Sequence, residues 1–283
     1  MAIMAQAIDN LYMLCRQHTP NPRYVTTEQR THHSVAATLT VPRLLIVLIT
    51  LFSGVFISIA SAALPEQFTA IYSVKTAGVT IGETRRELSQ KNGLYLFESI
   101  TRPKGIAKLF TDGQVIERSQ WQFFQNRPRP LNYTFFNSGS KKNRNIKLDF
   151  DWEKNRVINT INDKPWSMPL EHDTSDKLLY QLRIMQDLPT DNEALRYPVA
   201  DGGKLKYYII EILGTEQIRT PLGVFTATRL RYTKGRRKTT LWCAEELQYL
   251  PVRIEQRKDD DSPVTAVLTS VKGISHKQLT QKR

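Results

Sequence analysis

An alternation of apolar and polar residues, repeated along most of the chain, constrains the fold more than any other feature. Residues 146–152 (IKLDFDW) place Ile146, Leu148, Phe150 and Trp152 on one side and Lys147, Asp149 and Asp151 on the other. A period of two is the mark of a strand with one buried face, because successive side chains leave opposite faces of the backbone. The same period runs through 68–75 (FTAIYSVK), 79–88 (VTIGETRREL), 94–100 (LYLFESI), 114–124 (QVIERSQWQFF) and 131–137 (LNYTFFN), and through VINTIN after Trp152. It returns in 205–213 (LKYYIIEIL), 224–233 (VFTATRLRYT), TTLWCA, PVRIEQR and VTAVLTSVKG. Gly78, Asn92-Gly93 and Asp112-Gly113 supply turns between runs. Pro251 falls at a strand start, where a missing ladder donor is tolerated.

One segment breaks the pattern. The spacing of Leu178, Leu179, Leu182 and Met185 predicts a helix over 173–187, with its stripe packed on a sheet. Asp173 or Thr174 can cap it, and Asp176 stands at capping-box spacing from Asp173. The stretch 161–204 holds this helix between two irregular segments and is expected to cross between two halves of the sheet. Short hairpins imply antiparallel pairing. The expected fold is mainly β: a curved antiparallel sheet or open barrel with one principal packing helix.

Residues 44–63 (LLIVLITLFSGVFISIASAA) follow Arg43 without a charge. Small residues at its end suit signal-peptidase cleavage, with Ser61 and Ala63, or Ala60 and Ala62, at the −3 and −1 positions. Seventeen residues, 44–60, span about 25 Å as a helix, near the lower limit for a bilayer. The segment therefore reads as a signal-peptide core, with a retained membrane anchor as the alternative. Residues 1–43 form a polar leader, either an upstream extension of a mis-called start or a cytoplasmic tail. Residues 64–273 form the β domain and 274–283 a polar basic tail. The expected location is the periplasm after cleavage, or the inner membrane with the β domain in the periplasm. After cleavage Cys243 would be the only cysteine, so no intramolecular disulfide is expected.

The chain carries 40 Lys+Arg against 27 Asp+Glu, a formal net charge of +13. For an exported protein this suggests an anionic membrane surface, an acidic polymer or simply solubility, rather than nucleic acid. Three basic clusters are the anion-binding candidates: Arg102, Lys104 and Lys108; Lys141, Lys142, Arg144 and Lys147; and Lys234, Arg236, Arg237 and Lys238. Arginine offers paired contacts to phosphate or carboxylate and lysine a mobile charge. Aromatic groups lie nearby at Trp121, Phe123 and Phe124, at Tyr133, Phe135 and Phe136, and at Trp152 and Trp166; strand alternation places many of these in a core.

Catalytic and metal signals are thin. There is no nucleophile elbow, phosphate loop or dinucleotide fingerprint. Ser175, His172 and Asp176 have the residue types of acyl transfer without guaranteed geometry. Asp149, Asp151 and Glu153 read as acids on a solvated strand face. His172 has too few histidine or cysteine neighbours for a zinc site, and Asp259-Asp260-Asp261 lacks the calcium-loop pattern. No catalytic residue, metal or other cofactor is expected.

The C-terminal third carries a family resemblance. Thr220-Pro221-Leu222-Gly223-Val224-Phe225-Thr226-Ala227, Leu241-Trp242-Cys243-Ala244 and Leu250-Pro251-Val252-Arg253-Ile254-Glu255 resemble a turn-and-strand, a tryptophan strand and an L-P-V-R-I-E motif of the DUF3108 family. FTAIYSVKTAGVTIGETRREL, at the start of the β domain, is also similar. The resemblance covers most of 66–273. It implies an exported bacterial envelope protein with a largely antiparallel β domain, and it carries over no catalytic residue. Pro221 and Gly223 would shape a turn; Trp242, Pro251, Val252 and Ile254 would support packing; Arg253 and Glu255 would point away from the apolar face. The expected function is non-enzymatic: binding of a lipid or amphipathic anion, the partner being an anionic lipid, an envelope glycolipid or an envelope protein. The alternatives are an interaction module in envelope assembly and a divergent envelope hydrolase.

Overall fold

The computed structural model describes residues 64–138, 144–189 and 194–274. The leader, the apolar segment 44–63, Lys141, Lys142 and residues 275–283 lie outside the described residues.

The first eight strands are β1 (Phe68–Thr76), β2 (Val79–Lys91), β3 (Leu94–Pro103), β4 (Val115–Phe124), β5 (Arg127–Asn137), β6 (Arg144–Asp151), β7 (Arg156–Ile161) and β8 (Lys164–Pro169). Each pairs antiparallel with the next. A short β9 (Ser175–Asp176) and one helix, α1 (Tyr180–Asp187), follow. A second meander comprises β10 (Leu195–Asp201), β11 (Lys204–Thr220), β12 (Gly223–Lys234), β13 (Arg237–Ala244), β14 (Leu250–Lys258) and β15 (Val264–Lys272). The two meanders join where β15 pairs with β1, giving one open sheet of 15 strands with β8 and β9 at its edges. All pairings are antiparallel except β9 with β10.

Twisted open sheets of more than about ten strands tend to curl, split or flatten. Bulges assist by adding a residue to one strand and increasing local twist. They occur at Ile71/Tyr72, Val74/Lys75, Gln120/Trp121, Ile212/Thr215 and Trp242/Cys243. The alternation does its expected work: Phe68, Ala70, Tyr72 and Val74 of β1 are buried, as are Ile146, Leu148 and Phe150 of β6. In β13 the rule lapses, because Leu241, Trp242, Cys243 and Ala244 are all buried. Burial pushes the Cys243 thiol well above its usual value, as befits a small core filler.

Two expectations need correction. The helix begins at Tyr180, not 173, because Ser175–Asp176 pairs with β10 first. Asp176, not Asp173 or Thr174, caps the turn before it, its Oδ1 accepting from Leu178 N and Leu179 N at 2.8 Å each. The helix is also buried on every side, including Gln181, Arg183 and Gln186. It packs against β5 and β10. The second correction concerns 161–204. This stretch does connect the two halves, but its irregular segments include strands β8 and β10. Trp166 and Met168 in β8, and Leu195, Tyr197 and Val199 in β10, are interrupted by prolines that hide the period.

The edge strands do not share a ladder. Trp166 of β8 instead donates its indole N–H to Gly203 O at 3.3 Å, next to β11. Gly203 has φ +76°, and a Cβ there would stand 2.0 Å from the Trp166 ring. Only glycine fits this approach.

Candidate functional site

A meander sends alternate hairpins to opposite rims. β1 ends beside the start of β2 and of β15, and β13 begins opposite the end of β14. The upper rim therefore holds the β1–β2, β3–β4, β5–β6, β7–β8, β10–β11, β12–β13 and β14–β15 connections. The lower rim holds the β2–β3, β4–β5, β6–β7, β11–β12 and β13–β14 connections.

Of the described residues, the first cluster, Arg144 and Lys147 of the second, and the third cluster fall on the upper rim. The first two adjoin: Arg102 Nε donates to Gln114 Oε1 at 3.2 Å, and Gln114 N donates to Ser138 Oγ at 3.0 Å, just before β6. Lys104 pairs with Glu83 at 2.5 Å and Lys147 with Asp149 at 2.9 Å. Lys108 and Arg144 form no ion pair among the described residues. Along the sheet the third cluster is separated from these by β2, β1, β15 and β14. Arg236 pairs with Asp259, while Arg237 and Lys238 stand opposite Lys258 and Arg257 in the ladder. Lys234 pairs with Asp201, which also receives Lys206 at 3.0 Å and Lys177 at 3.6 Å. Burial opposes ionisation of Asp201, but Lys177, Lys234 and Lys206 outweigh it and hold the carboxyl far below its usual range. Burial lowers Lys234, with Asp201 opposing that shift. Several predicted cations are thus already engaged by carboxylates, and exposed pairs of this kind add little stability.

The family-like residues lie in the β11–β12 turn and in β13 and β14. Pro221 and Gly223 turn the chain between β11 and β12, Gly223 with φ +131°. Pro251 O accepts from the buried Tyr72 hydroxyl at 2.9 Å. Val252 and Ile254 are core residues. Trp242 Nε1 donates to Glu216 at 2.7 Å, Arg253 lies 4.8 Å over the Trp242 ring, and Arg253 pairs with Glu255 at 3.0 Å.

The Ser175, His172 and Asp176 group is not assembled as a triad. His172 is exposed and faces Asp173 at 3.6 Å. Ser175 Oγ is buried and has no hydrogen-bond partner among the described residues. Asp176 accepts from Ser119 Oγ at 2.5 Å and from two backbone amides. Asp149 and Asp151 pair with Lys147, Lys154 and Arg156. Among the described residues, no three His, Cys, Asp or Glu side chains form a metal-ligand group.

A different arrangement stands at the lower rim. A cleft of about 250 Å³ is lined by Phe124, Arg127, Pro128, Arg129, Trp152, Asn155, His172, Asp173 and Thr174. Its centre is Arg129, whose guanidinium lies 4.2 Å over the Phe124 ring and 4.1 Å over the Trp152 ring. Trp152 is fixed in turn: its indole N–H donates to Pro130 O at 2.8 Å, and its ring stacks on Phe150 at 6.2 Å and 15°. The Arg127–Pro130 part of β5 pairs with β4 but extends past the β6 ladder, so the turn after β6 can fold Trp152 across it.

The other charges of the cleft are occupied. Arg127 donates to both oxygens of Asp187, at 3.1 and 3.3 Å. Asp173 faces Arg183 at 3.7 Å as well as His172. Among the described residues Arg129 has no carboxylate partner, and its Nε makes no hydrogen bond there. Burial lowers its pKa from the usual arginine value, though arginine stays charged near neutral pH. A guanidinium clamped between two rings, its N–H edge unclaimed, is preorganised to receive a carboxylate or phosphate. None of the basic clusters picked from the sequence contains it. The available signal was Phe123-Phe124-Gln125-Asn126-Arg127-Pro128-Arg129-Pro130: aromatics, a turn, then arginines alternating with prolines.

A family model described as protein of unknown function (DUF3108) matches residues 67–269. The chain belongs to that family. The DUF3108 match runs from the residue before β1 into β15 and so takes in the cleft and all three basic clusters. A likeness among solved structures is the crystal structure of a beta-barrel-like protein of domain of unknown function DUF1849 from Brucella abortus. It has a TM-score of 0.49 and 8% identity, covering 74% of this chain and 99% of that one. No curated protein matches the sequence.

Proposed function

We propose that this DUF3108 protein is a non-enzymatic binding protein of the bacterial envelope that takes an amphipathic anion in the lower-rim cleft. The acceptor-free guanidinium of Arg129 between Phe124 and Trp152 carries this reading. Arg129 would take the anionic group through its free edge. The faces of Phe124, Pro128 and Trp152 would receive the adjoining apolar portion. A cleft of about 250 Å³ matches a head group with the first part of a chain better than a whole lipid. The predicted export segment and basic composition support the envelope assignment. His172, at the cleft mouth, is available as a further donor.

The test is a titration with dodecyl phosphate, and with inorganic phosphate for comparison, read by tryptophan fluorescence, since Trp152 forms one wall. Dodecyl phosphate should saturate the signal and bind more tightly than phosphate. Arg129→Ala should weaken it about tenfold or more, as expected for losing charge-assisted hydrogen bonds worth roughly 1.5–3 kcal/mol. Arg129→Lys should fall between, because it keeps the charge without the planar fork. Equal affinity in the wild type and Arg129→Ala would remove the cleft from the function.

A further inference from the structure

The upper rim bears a feature independent of the cleft. After β3 the chain makes a 3-10 helix over Gly105–Leu109. Ile106, Leu109 and Phe110 are 54%, 80% and 69% exposed, and Val79 of the adjoining β1–β2 hairpin is 51% exposed. Scattered apolar residues on a surface are ordinary, but a contiguous group is not. The loop does not present them by being loose. Ala107 between them is buried and its carbonyl accepts from Phe110 N at 3.1 Å and Thr111 N at 3.2 Å. Lys104 N donates to Ile81 O at 3.0 Å. Gly105 has φ +59°, and a Cβ there would stand 2.8 Å from Thr80 O, so the loop backbone lies tight against the hairpin. The fold holds these side chains outward.

Arg102, Lys104 and Lys108 bracket the apolar group, and Arg144 begins β6, two strands beyond it on the same rim. Glu83 and Asp112 offset part of this charge, Glu83 through its pair with Lys104. Cations remain in excess, with Lys108 and Arg144 unpaired among the described residues. We propose that this loop docks the upper rim onto an anionic bilayer. Leu109, Phe110 and Ile106 enter the interface while Lys108 and its basic neighbours meet the head groups. Protruding apolar tips ringed by basic side chains suit a fluid, negatively charged surface. A protein partner is less well matched, because lysine is depleted from protein interfaces.

The experiment uses the full chain with a nitroxide at Leu109→Cys in a Cys15→Ser background; Cys243 is buried and leaves one reactive thiol. The protein is added to vesicles of phosphatidylcholine alone or with phosphatidylglycerol. Accessibility to oxygen and to a water-soluble nickel chelate is then measured. With phosphatidylglycerol the nitroxide should become oxygen-accessible and chelate-protected by several-fold, and Lys108→Glu should reverse most of the change. A nitroxide that stays chelate-accessible on phosphatidylglycerol vesicles overturns the proposal, even if the chain is attached elsewhere. Protection from both reagents that requires added envelope proteins would also overturn it, since it marks a protein contact.

Discussion

Burial at Asp176 turns a capping residue into a proton-dependent one. Its carboxyl is pushed up to about 7, chiefly by burial, while hydrogen bonds from Ser119, Leu179 and Leu178 oppose the shift and nearby Glu117 adds to it. A folded-state value above the unfolded one means that the native state holds the proton more tightly. The associated stability is complete below about pH 3.9 and is lost as pH rises to about 7, roughly 4 kcal/mol over that window. Asp176→Asn keeps an oxygen for the two amides and does not ionise. Urea unfolding should therefore show a falling midpoint for the wild type from pH 4 to 7 and a flatter profile for Asp176→Asn; parallel profiles would assign the pH dependence elsewhere. At this scale the sequence is a partial guide. Lys104, Lys234 and Arg236 can be recognised as cations, but their consumption by Glu83, Asp201 and Asp259 is decided by how distant strands and turns are brought together, whereas Lys147 pairs with Asp149 on its own strand. Arg129 escapes notice because its two aromatic neighbours come from different hairpins.

The suture between β8 and the β10–β11 turn makes a prediction for elements. Gly203→Ala would drive its methyl group into Trp166 and impose φ +76° on a side-chain-bearing residue. It should destabilise the domain by about 1–3 kcal/mol and alter tryptophan emission. The cost should shrink in a Trp166→Ala background; the same cost in both backgrounds, measured by chemical denaturation, would show that the two sites are not coupled. Strands such as β1, β6 and β12 declare themselves because one face is buried and the other wet. β8 does not: Lys164-Pro165-Trp166-Ser167-Met168-Pro169 leaves only Met168 buried, so no period forms. The helical stripe at Leu178, Leu179, Leu182 and Met185 is plain in the sequence, but local spacing carries no warning that β9 would claim 175–176 or that Gln181 and Arg183 would be enclosed too.

For the whole molecule, the decisive pairing is the most distant. β1 meets β15, with Thr69 opposite Lys272 and Thr76 opposite Val264. A chain ended at residue 263 would lose the strand that joins the two meanders and expose the edges of β1 and β14. Unpaired edges of that kind recruit other chains. The truncated protein should lack the native far-UV signal or elute as large aggregates; a monomer with a native spectrum would show that either meander suffices. Period-two patterning foretold an antiparallel sheet, and short hairpins foretold its meanders. Which two strands close the gap between them is a long-range choice that no local pattern encodes. The same closure places the start of β1 and the end of β15 side by side on the lower rim, away from the Ile106–Phe110 loop. A sensor chip that captures the protein at the end of β15 would therefore leave that loop turned toward the flow, whereas a support coupled through surface lysines would mask it.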